Sequence, residues 1–229
     1  MWLNGAFIAA AYLFGSIPHL YLLAKANKLD VSGDLHMALW RRGGRPLGTL
    51  GFILELVKGA VPVLAGWALG MDSAVIAAGG VAAVCGQMWP IFYHFDGEKG
   101  NSIGAAMALT LTPAPFGISF IFMLGGYLIR TVPRFLRKDQ SLNEKFKLGG
   151  PPSLSFPLGM AIAFLVLPLA AWWLGEPDSV VTAYWALFAL IMVRRVTAGI
   201  TADVQERKSM LRVIINRLLF DRADIQVPS

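Results

Sequence analysis

The chain has 229 residues, 56% of them hydrophobic and 15% charged, with a net charge of +6 at neutral pH. That is too apolar and too poor in charge for an ordinary water-soluble domain, and lipid is the predicted solvent. The basic excess does not point to nucleic acid, because the lysines and arginines gather beside apolar runs, where lipid headgroups and phosphorylated small molecules are the nearer anions.

A bilayer core about 30 Å thick takes about 20 apolar residues per helix. Apolar runs of this kind extend from Trp2 to Ala24, Leu47 to Gly70, Ser73 to Phe95, Phe116 to Ile129, Leu154 to Leu174 and Val180 to Val193. A shorter one, Ser102 to Thr112, is closed by Pro113 and Pro115. Together they predict an all-α polytopic membrane helix bundle with about seven transmembrane helices over residues 1–200. No basic residue precedes the first run, and Gly15-Ser16-Ile17-Pro18 continues it without a small-residue cleavage site. It is therefore predicted to be a helix and not a signal peptide. Residues 201–229 are predicted to form a cytoplasmic tail. There Leu211, Ile214, Ile215, Leu218 and Leu219 recur at helical spacing against Arg207, Lys208, Arg212 and Arg217, the pattern of an amphipathic helix on the inner membrane surface.

Alternate connections divide into two sets. One, comprising Lys25 to Arg45, the loop at Lys99, Arg130 to Lys147 and everything from Arg194 onward, holds 19 of the 20 basic residues. The other, around Gly70 to Ser73, Pro113 to Pro115 and Gly175 to Asp178, holds none. Basic residues near span ends are retained on the cytoplasmic side, so the amino terminus is predicted outside and the carboxyl terminus in the cytoplasm. The remaining basic residue, Lys58, lies within a run, three residues after Glu55 and on the same helix face. Such a pair is either functional or a structural ion pair holding two spans together. Cys85 is alone and cannot form an intramolecular disulfide, and it is predicted to pack in the core. His19, His36 and His94 have no ligand-like spacing, so neither a metal nor a cofactor is predicted.

Three segments of the basic set differ from ordinary connections. The first runs from Asp30 through Ser32, Gly33, Asp34 and His36 to Arg41, Arg42 and Arg45. Guanidinium forks match phosphate oxygens, so these arginines can hold a phosphorylated ligand, although they also suit simple anchoring at the inner surface. The second is Gly86-Gln87-Met88-Trp89-Pro90 followed by Asp96-Gly97-Glu98-Lys99-Gly100-Asn101. Glycine permits close backbone approach, and Lys99 with the free amides opening the next helix favours an anion. The spacing of a Walker A loop is absent. The third is the tail around Asn216, Arg217 and Asp221, where a headgroup-binding helix is the plainer reading. No serine, histidine and carboxylate triad is apparent, so any catalysis must come mainly from positioning and electrostatic stabilisation.

The order and spacing of these pieces resemble the bacterial acyl-phosphate:glycerol-3-phosphate acyltransferases, the PlsY family. Gly15-Ser16-Ile17-Pro18 is similar to that family's first helix. Ser32, Gly33 and Arg42 fall at the separation found in S-G-N-x-G-A-T-N-V-x-R, and Glu55 to Leu64 is similar to D-L-L-K-G-x-x-P-V-L. Gly86 to Gly100 follows G-H-x-F-P-V-F-x-x-F-x-G-G-K-G without a gap. Asp34 stands at an asparagine position, His36-Met37-Ala38-Leu39 replaces G-A-T-N, Gln87 replaces histidine, and Glu98 replaces the second glycine. In the third motif, H-R-x-N-I-x-R-L-x-x-G-x-E, Ile215, Arg217 and Leu218 are in register, with Arg212 at the first arginine and Asp221 at the glycine, and a second registration starting at Arg194-Arg195 also lacks the histidine.

The resemblance implies a multi-pass protein of the bacterial plasma membrane that moves a fatty acyl group from acyl phosphate to glycerol 3-phosphate, giving lysophosphatidic acid for phospholipid synthesis. Its catalytic residues would be Ser32, Arg42 and Lys99, with Arg41, Arg45, Gln87, Gly97, Gly100, Asn101 and Arg217 contacting substrate. Lys99 with the amides of Gly97 and Gly100 would hold one phosphate, Arg42 or Arg45 would neutralise the other, and Ser32 would orient the acceptor. Acyl phosphate, glycerol 3-phosphate and membrane lipids are the implied partners. The alternative is a protein that keeps the fold but takes another acceptor or binds lipid without catalysis. A transporter is disfavoured because no inverted repeat relates the two halves.

Overall fold

The computed structural model describes residues 2–30, 35–136, 154–200, 203 and 209–223, and every regular element among these is helical. The elements are α1 (Trp2–Gly15), α2 (His19–Ala26), α3 (Leu35–Arg41), α4 (Gly44–Ala68), α5 (Ser73–Met88), a 3-10 turn (Ile91–Tyr93), α6 (Asn101–Leu111), α7 (Pro113–Leu136), α8 (Ser155–Trp173), α9 (Asp178–Thr197) and α10 (Met210–Phe220). Ser32 and its neighbours 31–34 lie outside the described residues.

Six helical stretches are long and apolar enough to cross a membrane, with α1 and α2 counted as one interrupted stretch, Trp2–Ala26. The shortest predicted run forms α6, whose 11 residues rise about 16 Å and so reach only partway through a hydrocarbon core. Helix α7 is longer than its uncharged run. It starts at Pro113, where proline's missing N–H costs nothing in a first turn, and it continues through Arg130 and Arg134. Long basic side chains can extend from a helix end towards the interface, so charge does not have to end the helix.

Lipid tails are as apolar as the helices, so helices associate through close packing at small residues. On α1 and α5, Gly15 lies against the carbonyl of Ala83 and Gly86 against that of Tyr12. Gly59 of α4 meets the Ile103 carbonyl of α6, and Gly126 of α7 meets Gly159 of α8. Tyr12 Oη then donates to the Trp89 carbonyl at 2.8 Å, tying α1 to the end of α5.

The tail helix α10 packs on α8 and α9. Val213, Asn216 and Arg217 are turned inward and buried, while Leu211, Ile215 and Leu219 form the outward stripe. Arg217 was expected on the polar outer face. It turns inward because it finds partners there: the Asp203 carboxylate and the Ala198 carbonyl. Arg207 and Lys208 lie outside the described residues.

Candidate functional site

The site begins at the interruption of the first span. Pro18 has no N–H to continue the helix, and its backbone adopts φ −82°, ψ 63°. The Ile17 carbonyl is thereby released from the helical ladder. It accepts the His19 amide at 2.9 Å and the Lys58 ammonium at 2.8 Å. Lys58 also donates to Gln87 Oε1 and stands 3.4 Å from His19 Nδ1. Gln87 Nε2 in turn donates to Glu55 Oε1 at 3.1 Å, and His36 Nε2 lies 2.9 Å from Glu55 Oε2. Glu55 and Lys58 are only 3% and 5% exposed. The two charges expected as a pair on one face of α4 are thus joined through Gln87 of α5, which hydrogen-bonds to both of them in the low-dielectric interior.

Beside this cluster is a cavity of about 360 Å³. One wall is the helix interruption, with Ile17, Pro18 and His19; the other is Gln87 with the loop residues Gly97 and Glu98. Its volume is at the lower end of the range for small-molecule sites. The loop is folded back on the end of α5: the Gly97 amide donates to the Met88 carbonyl and the Glu98 amide to the Gln87 carbonyl, both at 3.1 Å. A side chain at Gly97 would run into the Gln87 carbonyl and the Pro90 ring, so this close approach requires glycine. Gly100, at φ 76°, then turns the chain into α6.

Basic residues surround this end of the bundle, and several of them are paired with carboxylates. Lys99 Nζ lies 3.0 Å from Asp221 Oδ2 and donates to the Asp221 carbonyl at 3.2 Å. Arg194 donates to Asp96 Oδ1 at 2.6 Å and to the Gly97 carbonyl at 2.5 Å, fastening α9 to the loop. Arg195, 1% exposed, donates to the carbonyls of Pro157 and Leu218 and joins α8, α9 and α10. Arg42 and Asp30 form a 2.8 Å pair in which each side chain is 54% exposed.

Of the residues singled out from sequence, Gln87 and Gly97 line the cavity. The Gly97 amide, expected to meet a phosphate, is instead used to shape the loop. Arg41 and Arg45 are at the end of α3 and the start of α4, and neither they nor Arg42 lines the cavity. Lys99 is held by Asp221, and Arg217 by Asp203. Gly100 and Asn101 stand at the amino end of α6, with Asn101 Oδ1 buried and unpartnered among the described residues. The sequence reading weighed His19, which lies on the cavity wall, only as a metal ligand, and His36, named in the first segment, faces Glu55. The available signal was a histidine directly after a helix-breaking proline in an otherwise apolar span.

These features define a multi-pass helical membrane protein with a small polar cavity at the basic end of its bundle. Residues 5–202 match the family described as glycerol-3-phosphate acyltransferase, and the chain belongs to that family. It is 39% identical over 123 residues to the glycerol-3-phosphate acyltransferase of Trichlorobacter lovleyi, a match covering 51% of this chain and 63% of that protein, so it spans less than two thirds of that relative's length. Glycerol-3-phosphate acyltransferase 4 of Dehalococcoides mccartyi is 27% identical over 224 residues, covering 94% and 87% of the two chains. The fold matches the crystal structure of PlsY (YgiH), an integral membrane glycerol 3-phosphate acyltransferase in its lysophosphatidic acid form, with a TM-score of 0.67 and 25% identity over 90% of this chain and 94% of that one.

Proposed function

We propose that this protein transfers a fatty acyl group from acyl phosphate to glycerol 3-phosphate, giving lysophosphatidic acid, with its basic end on the cytoplasmic side of a bacterial plasma membrane. The observation that carries this reading is the position of the loop Gly86 to Gly100. It contains the longest uninterrupted family motif and supplies one wall of the cavity through Gln87, Gly97 and Glu98. An acyl phosphate is a mixed anhydride with a good leaving group, so the reaction asks for positioning and charge stabilisation more than for a strong protein nucleophile. In this reading Lys99 holds a substrate phosphate by exchanging it for the Asp221 carboxylate. Arg42, with Arg41 or Arg45, neutralises the second phosphate, and Ser32 orients the acceptor hydroxyl.

Glu98 favours a second reading. It places a carboxylate on the cavity wall where the family motif has glycine, a change in the site's chemistry that suits an acceptor with less negative charge than glycerol 3-phosphate. The two are separated by incubating purified protein in detergent with palmitoyl phosphate and radiolabelled glycerol 3-phosphate. Lysophosphatidic acid from the wild type, and none from Lys99→Ala, supports the first reading. Consumption of palmitoyl phosphate only when a neutral or zwitterionic alcohol replaces glycerol 3-phosphate supports the second.

A further inference from the structure

The cavity wall contains one polar group that the reading above does not use. His19 Nδ1 is 3.4 Å from Lys58 Nζ. As an ammonium, Lys58 has three hydrogens and no lone pair, and it directs two of them at the Ile17 carbonyl and Gln87 Oε1. In the tautomer in which Nδ1 takes the third hydrogen, the ring proton of a neutral His19 is on Nε2. That nitrogen is buried, and no described residue accepts from it. An N–H buried without an acceptor is costly, and a ligand oxygen in the cavity is the acceptor that would relieve the cost. Gln87, glutamine where the family motif reads histidine, is poorly placed to serve instead. Its oxygen is taken by Lys58, and its amide donates to Glu55.

We propose that the Nε2–H of His19 donates a hydrogen bond to a substrate oxygen in the cavity, either the acyl carbonyl oxygen or a phosphoryl oxygen, making His19 a catalytic residue of this chain. The inference rests on the acyl-transfer reading for what the ligand is, and on the Ile17–Lys58–Gln87 framework for why the donor is there. Two neighbours hold the imidazole in place. Pro18 fixes the break that sets its backbone, and Lys58 fixes its tautomer. No proton is transferred to or from His19 in this role. It stabilises charge on an oxygen that already carries it or gains it as the carbonyl becomes tetrahedral.

The test compares His19→Ala, His19→Gln and wild type in acyl transfer from palmitoyl phosphate, each variant first shown by gel filtration in detergent to be folded. Loss of one preorganised oxyanion donor lowers turnover about 100-fold, and glutamine restores a donor close to the position of Nε2. The expected result is a fall in kcat/KM of about two orders of magnitude for His19→Ala, with His19→Gln within about tenfold of wild type. A fall in kcat at constant KM assigns the contact to the carbonyl oxygen, and a rise in KM at constant kcat assigns it to the phosphoryl group. Activity of His19→Ala within twofold of wild type, or His19→Gln as impaired as His19→Ala, overturns the proposal. A second measurement does not depend on turnover: nitrogen NMR of 15N-histidine-labelled protein, with the His19 signals assigned from His19→Gln. The proposal expects a proton on Nε2, none on Nδ1, and a shift of the Nε2 resonance on adding palmitoyl phosphate. A proton on Nδ1, or no shift at saturating palmitoyl phosphate, refutes it. If the wild type transfers no acyl group, the acyl-transfer reading fails, and this NMR result still decides whether His19 is a ligand donor.

Discussion

Replacing Lys58 by methionine removes an ammonium from the bundle interior while keeping most of the volume of its stem. The Ile17 carbonyl and Gln87 Oε1 lose their donor, and Glu55, 3% exposed, keeps Gln87 and His36 but loses the cation that balances it. Each hydrogen bond to a charged group contributes about 1.5–3 kcal/mol, and removing one member of a buried charge pair costs about 3–5 kcal/mol. The two estimates overlap, so Lys58→Met is expected to lose about 4 kcal/mol. For a chain of this size, with about 2–4 °C per kcal/mol, that lowers Tm by about 8–16 °C. Thermal unfolding in detergent, followed by tryptophan fluorescence, measures it. Adding Glu55→Gln removes the stranded charge, so the double variant is expected to regain about 2 kcal/mol relative to the sum of the single changes. A Lys58→Met loss below about 1 kcal/mol, or strictly additive effects, would refute the claim that α4 and α5 are joined by a charge-balanced cluster.

The remaining predictions concern the loop and its rim. Gly97→Ala forces a methyl group onto the Gln87 carbonyl and the Pro90 ring, with Pro90 Cδ only 2.6 Å away. It is expected to cost about 1–3 kcal/mol, seen as a lowered Tm, together with reduced acyl transfer from a displaced loop. Asp221→Asn removes the carboxylate 3.0 Å from Lys99 and is expected to lower KM for glycerol 3-phosphate several-fold, with a smaller effect at high salt; steady-state kinetics at two ionic strengths checks it. Asp30→Ala breaks a pair that is half exposed, and it is expected to change stability by about 0.5 kcal/mol or less in the same unfolding assay.

Much of the fold was legible because residence in lipid is a property of local composition. A window of about 20 predominantly apolar residues is nearly sufficient for a spanning helix. The runs beginning at Trp2, Leu47, Ser73, Leu154 and Val180 could therefore be read directly, and the helices found there differ from them mainly at their ends. The loop from Gly86 to Gly100 was legible for a related reason. Its glycines and Pro90 set a local backbone path that folds onto the neighbouring end of α5.

Amphipathic spacing in the tail identified a helix but assigned Arg217 to the wrong face, because hydrophobic periodicity contains no information about a buried carboxylate such as Asp203. The partners of the charged residues were decided by tertiary structure alone. Lys58 reaches Gln87 across 29 positions, and Lys99 reaches Asp221 across 122. Such pairings depend on which helices become neighbours, and a local sequence pattern does not record that. By itself the sequence determined the solvent, the positions of most long apolar helices and the glycine-rich loop after α5, since each follows from a contiguous stretch of residues. Only packing could decide that a proline break, a lysine and a glutamine from three different helices would meet beside His19 and a cavity, because these residues are far apart in the chain.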